Sequence, residues 1–332
     1  MSPTPSPPSH PALYEANDLL AAQLAAVEVL MRECLHCDVP LINQVSHYVI
    51  ASGGKRLRPV LVLLSACAMG YAGRRHIDLA VIVELIHTAT LLHDDVVDSS
   101  RLRRGQKTAN IVWGNEASVL VGDFLYSRAF QMMVDIGEMK VLKILADATN
   151  TIAEGEVMQL VNCRDPATTE ARYLDTIRFK TAKLFEAATR LGAVIAVSEV
   201  ADEKALACYG RHLGTAFQLV DDALDYSATA TDIGKNIGDD LAEGKPTLPL
   251  LYAMWQGSSA QAAFIRRAIE DGGLEQIEQI SAAIESTGAI TYTLALAEAE
   301  AWEAREALAG LPGSPFLDAL VALTKFTVER KS

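Results

Sequence analysis

Two short acidic clusters of identical form constrain this chain more than any other feature. They are Asp94-Asp95-Val96-Val97-Asp98 and Asp221-Asp222-Ala223-Leu224-Asp225. Each closes an apolar run of helical spacing. Each therefore sets two carboxylates four residues apart on one helix face, about 6 Å along the axis. One such cluster could be a solvated helix end. Two, each embedded in Leu, Val and Ala, call for something cationic among them, because half-buried like charges repel strongly. Oxygen-only ligands suit a hard ion such as Mg2+, which takes one or two carboxylates and completes its shell with water and substrate phosphates. The pair predicts a metal-bridged diphosphate site.

Around these clusters the pattern is helical almost throughout. Apolar positions recur at three and four residues over 13–32, 57–70, 76–98, 115–134, 140–162, 170–191 and 203–227. More follow after Pro246, ending in 289–308 and 314–328. Convincing period-two strands are absent. The fold expected is all-α, a bundle of roughly a dozen helices around one central cavity. Of the 332 residues, 50% are hydrophobic, and no Pro/Gly/Ser-rich linker divides the middle, so one domain is expected over 12–332. Residues 1–11 are Pro- and Ser-rich and are expected to be a disordered tail. They lack the basic start and apolar stretch of a signal peptide. No apolar run reaches about 18 residues, so no membrane span is expected.

The net charge of −13 argues against a nucleic-acid partner and makes any local basic group informative. Five cysteines is an odd number. Cys34 and Cys37 form a C-x-x-C with no second pair, which reads as reduced thiols on an amphipathic helix. A reducing, cytoplasmic location is the expectation.

Several polar groups stand out from the apolar background. Gly53-Gly54-Lys55-Arg56-Leu57-Arg58-Pro59 sets three cations beside a Gly-Gly turn. It is not a phosphate-binding loop of the Walker type, and alone it reads equally as a solvated basic loop. His87 lies two helical turns before Asp94 on the same face, where a lone histidine is usually structural. Arg103-Arg104-Gly105 follows the first acid cluster. Lys180-Thr181 sits mid-helix in an apolar and acidic segment. Gln218 shares a face with Asp221 and Asp225, and Lys235 and Lys245 follow in a Gly-rich loop. Together these make two acid clusters and several separate cation groups. That suffices for two anionic substrates, one held through metal and the other by bare cations.

In order along the chain, G-G-K-R-L-R-P at 53–59, D-D-V-V-D at 94–98 with R-R-G at 103–105, K-T at 180–181, F-Q-L-V-D-D-A-L-D at 217–225, G-K-N at 234–236 and G-K-P-T-L-P at 244–249 resemble the trans-prenyltransferases, the head-to-tail polyprenyl diphosphate synthases. The resemblance covers residues 20–330. The runs L-I-H-T-A-T-L-L-H-D-D-V-V-D and G-T-A-F-Q-L-V-D-D-A-L-D-Y most resemble the bacterial octaprenyl-forming members.

The resemblance implies specific roles. Isopentenyl diphosphate would be bound without metal by Lys55, Arg58, His87 and Arg104. The allylic prenyl diphosphate would be held by Mg2+, up to three ions, on Asp94, Asp98 and Asp221. Arg103, Lys180, Thr181, Gln218 and Lys235 would surround it. Asp95, Asp222 and Asp225 would support the metals, with Lys245 a second-tier candidate. Asp94, Asp98, Asp221, Lys180 and Lys235 would assist ionisation of the allylic C–O bond. The implied product is C40, with another length between C30 and C50 as the alternative, grown from farnesyl diphosphate for a quinone side chain such as that of ubiquinone. The implied assembly is a homodimer, with transient membrane contact for release of an apolar product.

Product length would follow from room for the tail. Ala89 and Thr90, about one turn before the first cluster, are small and would leave a tunnel open. Met132 and Met133 are candidates for its floor, and equally for ordinary core methionines. Two rival readings differ in kind. A class I terpene cyclase shares helices and metal-triggered ionisation, but needs no second cation set. A non-enzymatic subunit of a heteromeric synthase usually lacks one acid cluster, and this chain has both.

Overall fold

The computed structural model describes residues 11–227, 238–272 and 276–330. Residues 1–10 of the expected tail lie outside the described residues, and Pro11 already opens the first helix. Among the described residues the chain is helical, as its periodicity predicts. The helices are α1 (Pro11–Leu19), α2 (Ala21–Leu35), α3 (Pro40–Ala51), α4 (Leu57–Ala68), α5 (Arg75–Val97), α6 (Ala109–Trp113), α7 (Asn115–Ile136), α8 (Met139–Asn162) and α9 (Glu170–Ile177). They continue as α10 (Lys183–Ile195), α11 (Val200–Ser227), α12 (Asp239–Ala242), α13 (Leu248–Gln256), α14 (Ser259–Asp271), α15 (Ile277–Thr287), α16 (Ala289–Ala307) and α17 (Pro315–Glu329).

Burial explains which helices form the interior. An amphipathic helix buries one stripe, whereas one that is apolar all round belongs inside. α4 and α5 are of the second kind: Val60 to Leu64 and Leu79 to Val83 are fully buried on successive positions. α5 packs against α2, α4, α7 and α10, and α11 packs against α10, α16 and α17. By length and composition α5 is apolar enough to cross a membrane, but 72% of its most apolar window is buried against neighbouring helices. The buried apolar residues form two clusters, one built on α4, α5, α7 and α10, the other on α13 to α16. α11 contributes to both, through Leu206, Tyr209 and Leu213 to the first and Leu219, Val220 and Tyr226 to the second.

Two local features depart from simple helical periodicity. The segment after the first acid cluster is a small antiparallel hairpin, β1 (Leu102–Arg103) and β2 (Gln106–Lys107), with Leu102 opposite Lys107 and Arg103 opposite Gln106. Arg104 and Gly105 both have positive φ, 53° and 74°, as a tight two-residue hairpin turn requires. Two-residue strands are too short to show period-two patterning. The second feature is a π-turn, Arg178–Ala182, which interrupts the helix expected over 170–191. Two glycines let neighbouring helices close on it. A Cβ at Gly155 of α8 would lie 2.6 Å from the Lys180 nitrogen, and one at Gly214 of α11 would lie 2.7 Å from the Ala182 Cα. Arg178, which opens the turn, pairs with the buried Glu300 of α16 at 3.2 Å.

Candidate active site

Both acid clusters sit in the last turns of long helices, α5 and α11. The helix macrodipole is negative at that end, so carboxylates there reinforce an unfavourable potential. The structure answers this with one basic side chain for each acid of the first cluster. Lys180 Nζ lies 3.5 Å from Asp94 and 2.6 Å from Glu156 of α8. Lys245 Nζ lies 2.7 Å from Asp98 and 2.6 Å from Glu243. Arg103 directs Nε and Nη2 to one oxygen of Asp95, at 2.9 and 2.7 Å.

In the second cluster, Arg330 at the end of α17 donates to Asp221 Oδ1 at 2.6 Å and to the Phe217 carbonyl at 2.5 Å, and lies 3.9 Å from the centre of the Phe217 ring. Asp222 is buried and accepts from Tyr173 Oη at 2.6 Å and Gln218 Nε2 at 2.7 Å. Thr181 Oγ1 donates to Gln218 Oε1 at 2.9 Å, which links the π-turn to the same network. Asp225 accepts from the Asp240 backbone N–H at 3.4 Å. The 238–245 segment thus straps one cluster to the other: Asp240 contacts Asp225, the Lys245 N–H bonds the Asp240 carbonyl, and the Lys245 side chain bonds Asp98.

These surroundings shift the acids according to burial. Burial, with Asp240 adding to it, pushes Asp222 up to about 8. Burial, with Asp94 adding to it, pushes Glu156 up to about 7 despite Lys180. Asp95 is raised by burial against the pull of Arg103. The inner acids, Asp95 and Asp222, are therefore fixed within the protein. Asp94, Asp98 and Asp221 keep more exposed carboxylates.

A separate cation group lies where α4 begins. Arg56, its N-cap, has a left-handed backbone (φ 48°) and is spent on buried Glu84 at 2.8 Å. That leaves Lys55, Arg58 and Arg104 to face one another. Arg58 Nη1 donates to His87 Nε2 at 3.1 Å, so that nitrogen accepts and carries no proton. Burial and Arg58 hold His87 well below its usual value. The Arg58 guanidinium stacks 4.7 Å from the Phe185 ring centre and is pushed down to about 10, mainly by burial. A Cβ at Gly54 would lie 2.7 Å from the Arg104 guanidinium, so the glycine makes room for it. Burial and the nearby Arg330 and Arg104 push Lys55 down to about 8, while Asp221 pulls it up. Cations crowded until their own charges cost energy form a site for a polyanion.

The structure thus brings Asp94, Asp98, Lys180 and Lys245 together, joins Thr181, Gln218 and Asp222, and sets Lys55, Arg58, His87 and Arg104 in one group. Lys235 lies outside the described residues. Arg103 is tied to Asp95. Ala89 is fully buried, and Thr90 bonds the His87 carbonyl at 2.8 Å. Met133 is buried in the first core cluster. Met132 is half-buried, its sulfur 3.6 Å from Cys34 Sγ, and lines a cleft of about 760 Å3. Glu156, Glu243, Tyr173 and Arg330 were not singled out from sequence. Tyr173 and Arg330 stand in no motif. Glu156 follows Gly155 in a helix whose glycine was the available signal.

Comparison with known proteins shows the family and the fold. Residues 39–287 match the polyprenyl synthetase family. The octaprenyl diphosphate synthase of Escherichia coli (strain K12) is 51% identical over 319 residues, 96% of this chain and 99% of that protein. The octaprenyl diphosphate synthase of Haemophilus influenzae is 53% identical over 297 residues, 89% of this chain and 90% of that one. A crystal structure of polyprenyl synthase from Caulobacter crescentus CB15, complexed with calcium and isoprenyl diphosphate, superposes with a TM-score of 0.94 at 44% identity, covering 99% of this chain and 100% of that one. The helical fold is that of the isoprenoid synthases. The chain belongs to the polyprenyl synthetase family.

Proposed function

We propose that this chain is an all-trans polyprenyl diphosphate synthase. It adds isopentenyl diphosphate repeatedly, head to tail, to an allylic diphosphate, with farnesyl diphosphate as starter and octaprenyl diphosphate (C40) as principal product. The observation that carries the reading is the pairing of two acidic helix ends with a separate cation group that needs no metal. The relatives named octaprenyl diphosphate synthase, at 51% and 53% identity, support the C40 assignment. A quinone side chain is the proposed destination.

The donor set fits a hard divalent ion, Mg2+ by preference. Among the described residues no three metal-binding side chains gather into a closed cage. Asp94, Asp98 and Asp221 instead offer a few carboxylate oxygens each way, which suits an ion that keeps waters and phosphate oxygens as ligands. Up to three ions would be held there, with Asp95, Asp222 and Asp225 supporting the acids. When bound, they supply charge neutralisation of the departing diphosphate.

The chain's own residues account for the remaining steps. Lys180, Thr181, Gln218 and Arg103 surround the allylic diphosphate, Lys245 approaches from the strap, and Lys235 is assigned to the same diphosphate from its G-K-N motif. Charge grows on the leaving oxygen as the C–O bond breaks, so these donors stabilise the transition state more than the ground state. Lys55, Arg58, Arg104 and His87 hold isopentenyl diphosphate in place. Its double bond attacks the allylic cation, and the apolar walls exclude water and fix the partners. A proton leaves the new cation for the departing diphosphate, so no side-chain base is needed. Small Ala89 lets the tail extend between helices.

A homodimer is part of this reading. Val157, Leu160 and Val161 form an exposed apolar stripe on α8, and Leu120 and Val134 extend the exposed apolar surface on α7. Exposed apolar residues at helical spacing, as on α8, suit an interaction face. Brief membrane contact during release of the apolar product, and a cytoplasmic location, complete the proposal.

The test is product analysis with Mg2+, farnesyl diphosphate and labelled isopentenyl diphosphate. A dominant C40 alcohol after dephosphorylation is expected, and chelation of the metal should abolish incorporation until Mg2+ is restored. Absence of incorporation with Mg2+ present would shift the reading to a cyclase or to an incomplete subunit.

A further inference from the structure

Lys180 is held by a seat that its own motif does not contain. The ammonium has three donors on a flexible four-carbon stem, so its direction depends on what it touches. Two carboxylates touch it, and the nearer belongs to α8: Glu156 Oε2 at 2.6 Å against Asp94 Oδ2 at 3.5 Å. The backbone beneath is also set by α8. Gly155 lies so close that any Cβ there would meet the Lys180 nitrogen at 2.6 Å and the Phe179 carbonyl carbon at 2.9 Å. π-turns of this kind occur mostly as single turns inserted in α-helices, often at functional sites. The turn at Arg178–Ala182 needs a neighbour that leaves it room. One residue of α8 supplies the room and the next supplies the tether.

We infer that Glu156 is a positioning residue for the condensation: it holds the Lys180 ammonium at the edge of the first acid cluster, with one donor left to meet the departing diphosphate. The inference rests on the reading of Lys180 as a cation for the allylic diphosphate. Glu156 does not itself touch substrate. Without it, Lys180 would fold onto Asp94, closing a pair that the metal and the diphosphate must share. Outer partners that orient a charged ligand typically change affinity or rate by about ten- to a hundredfold when lost.

The experiment is a double-mutant cycle in the full chain, with Glu156→Gln, Lys180→Met and the two combined. Glutamine keeps the size of the side chain and removes its charge. The readouts are the single-turnover rate of the first condensation, KM for each substrate, and calorimetric binding of inorganic pyrophosphate with Mg2+. Thermal melting checks that each variant folds. Glu156→Gln is expected to lower the rate and pyrophosphate affinity by about tenfold and to leave KM for isopentenyl diphosphate unchanged. In the Lys180→Met background it should change neither. An equal loss in both backgrounds would overturn the inference, because Glu156 would then act independently of Lys180. No loss in the parent chain would overturn it too. A Lys180→Met variant as fast as the parent would instead remove the role assigned to Lys180, a distinguishable failure.

Discussion

Lys55 is where crowding of like charge has a measurable consequence. Its ammonium is pushed down to about 8 by burial, Arg330 and Arg104. Below that pH it is charged and can receive a diphosphate; above it the proton, and with it the attraction, is lost. KM for isopentenyl diphosphate is therefore expected to be flat near neutrality and to rise above pH 8, approaching tenfold per pH unit if the proton is essential. In Lys55→Arg, whose guanidinium stays charged throughout, the rise should vanish. A flat wild-type profile to pH 9.5 would remove Lys55 from binding. Arg330 adds a linked expectation. Arg330→Ala takes away the charge that most depresses Lys55, so the break should move to higher pH. The same change removes two charged hydrogen bonds, to Asp221 and the Phe217 carbonyl. Each such bond contributes about 1.5–3 kcal/mol, so a lower melting temperature should accompany the shift. The sequence showed Lys55, Arg58 and the two acid clusters because their types and spacing are local facts. It hid Arg330, Tyr173 and Glu156, whose roles depend on helices far apart in the chain meeting at one point.

Elements carry a different part of the site. A π-turn changes the hydrogen-bond step, not the residue types, so the apolar periodicity of 170–191 reads as one unbroken helix. The turn is legible only from what surrounds it: Gly155 on one side, Gly214 on the other, and Glu300 holding Arg178. Gly214→Ala would place a methyl 2.7 Å from the Ala182 Cα, against backbone that cannot rotate away. Overpacking of this kind costs about 1–3 kcal/mol. The expected result is a lower melting temperature together with a slower condensation, because Thr181 and Lys180 ride on the displaced turn. A stable, fully active Gly214→Ala would show that the close approach is slack. The hairpin at 102–107 escaped the sequence for a similar reason. Its two-residue strands are too short for patterning, yet its turn, with Arg104 in a left-handed conformation, sends Arg103 to Asp95 and Arg104 towards Gly54.

At the scale of the whole molecule, the first acid cluster lies at one end of α5, and the proposed path of the product runs along the rest of it. The all-helical class and the placement of both clusters at helix ends were legible from periodicity. The division of the core into two clusters spanned by α11, and the strap from Asp225 to Asp98, were not, because both come from chain return. Ala89 tests the long-range consequence. It is fully buried five residues before Asp94, about 7–8 Å along the axis. At about 4–5 Å per isoprene unit, a growing tail passes this point within its first two units, long before C40. Ala89→Tyr puts a ring there. If the tail runs past Ala89, the ring occupies space meant for product, so the protein should stay folded and turn over a shorter C5 or C10 allylic starter while its products shorten to about C15–C20. If Ala89 instead packs against solid core, the same ring has nowhere to go, and the variant should lose about 1–3 kcal/mol of stability or more with product length unchanged in whatever enzyme survives. Product length and melting temperature, measured on one preparation, separate the two: a short product from a stable protein places the tunnel beside α5, and full-length product sinks it at that position.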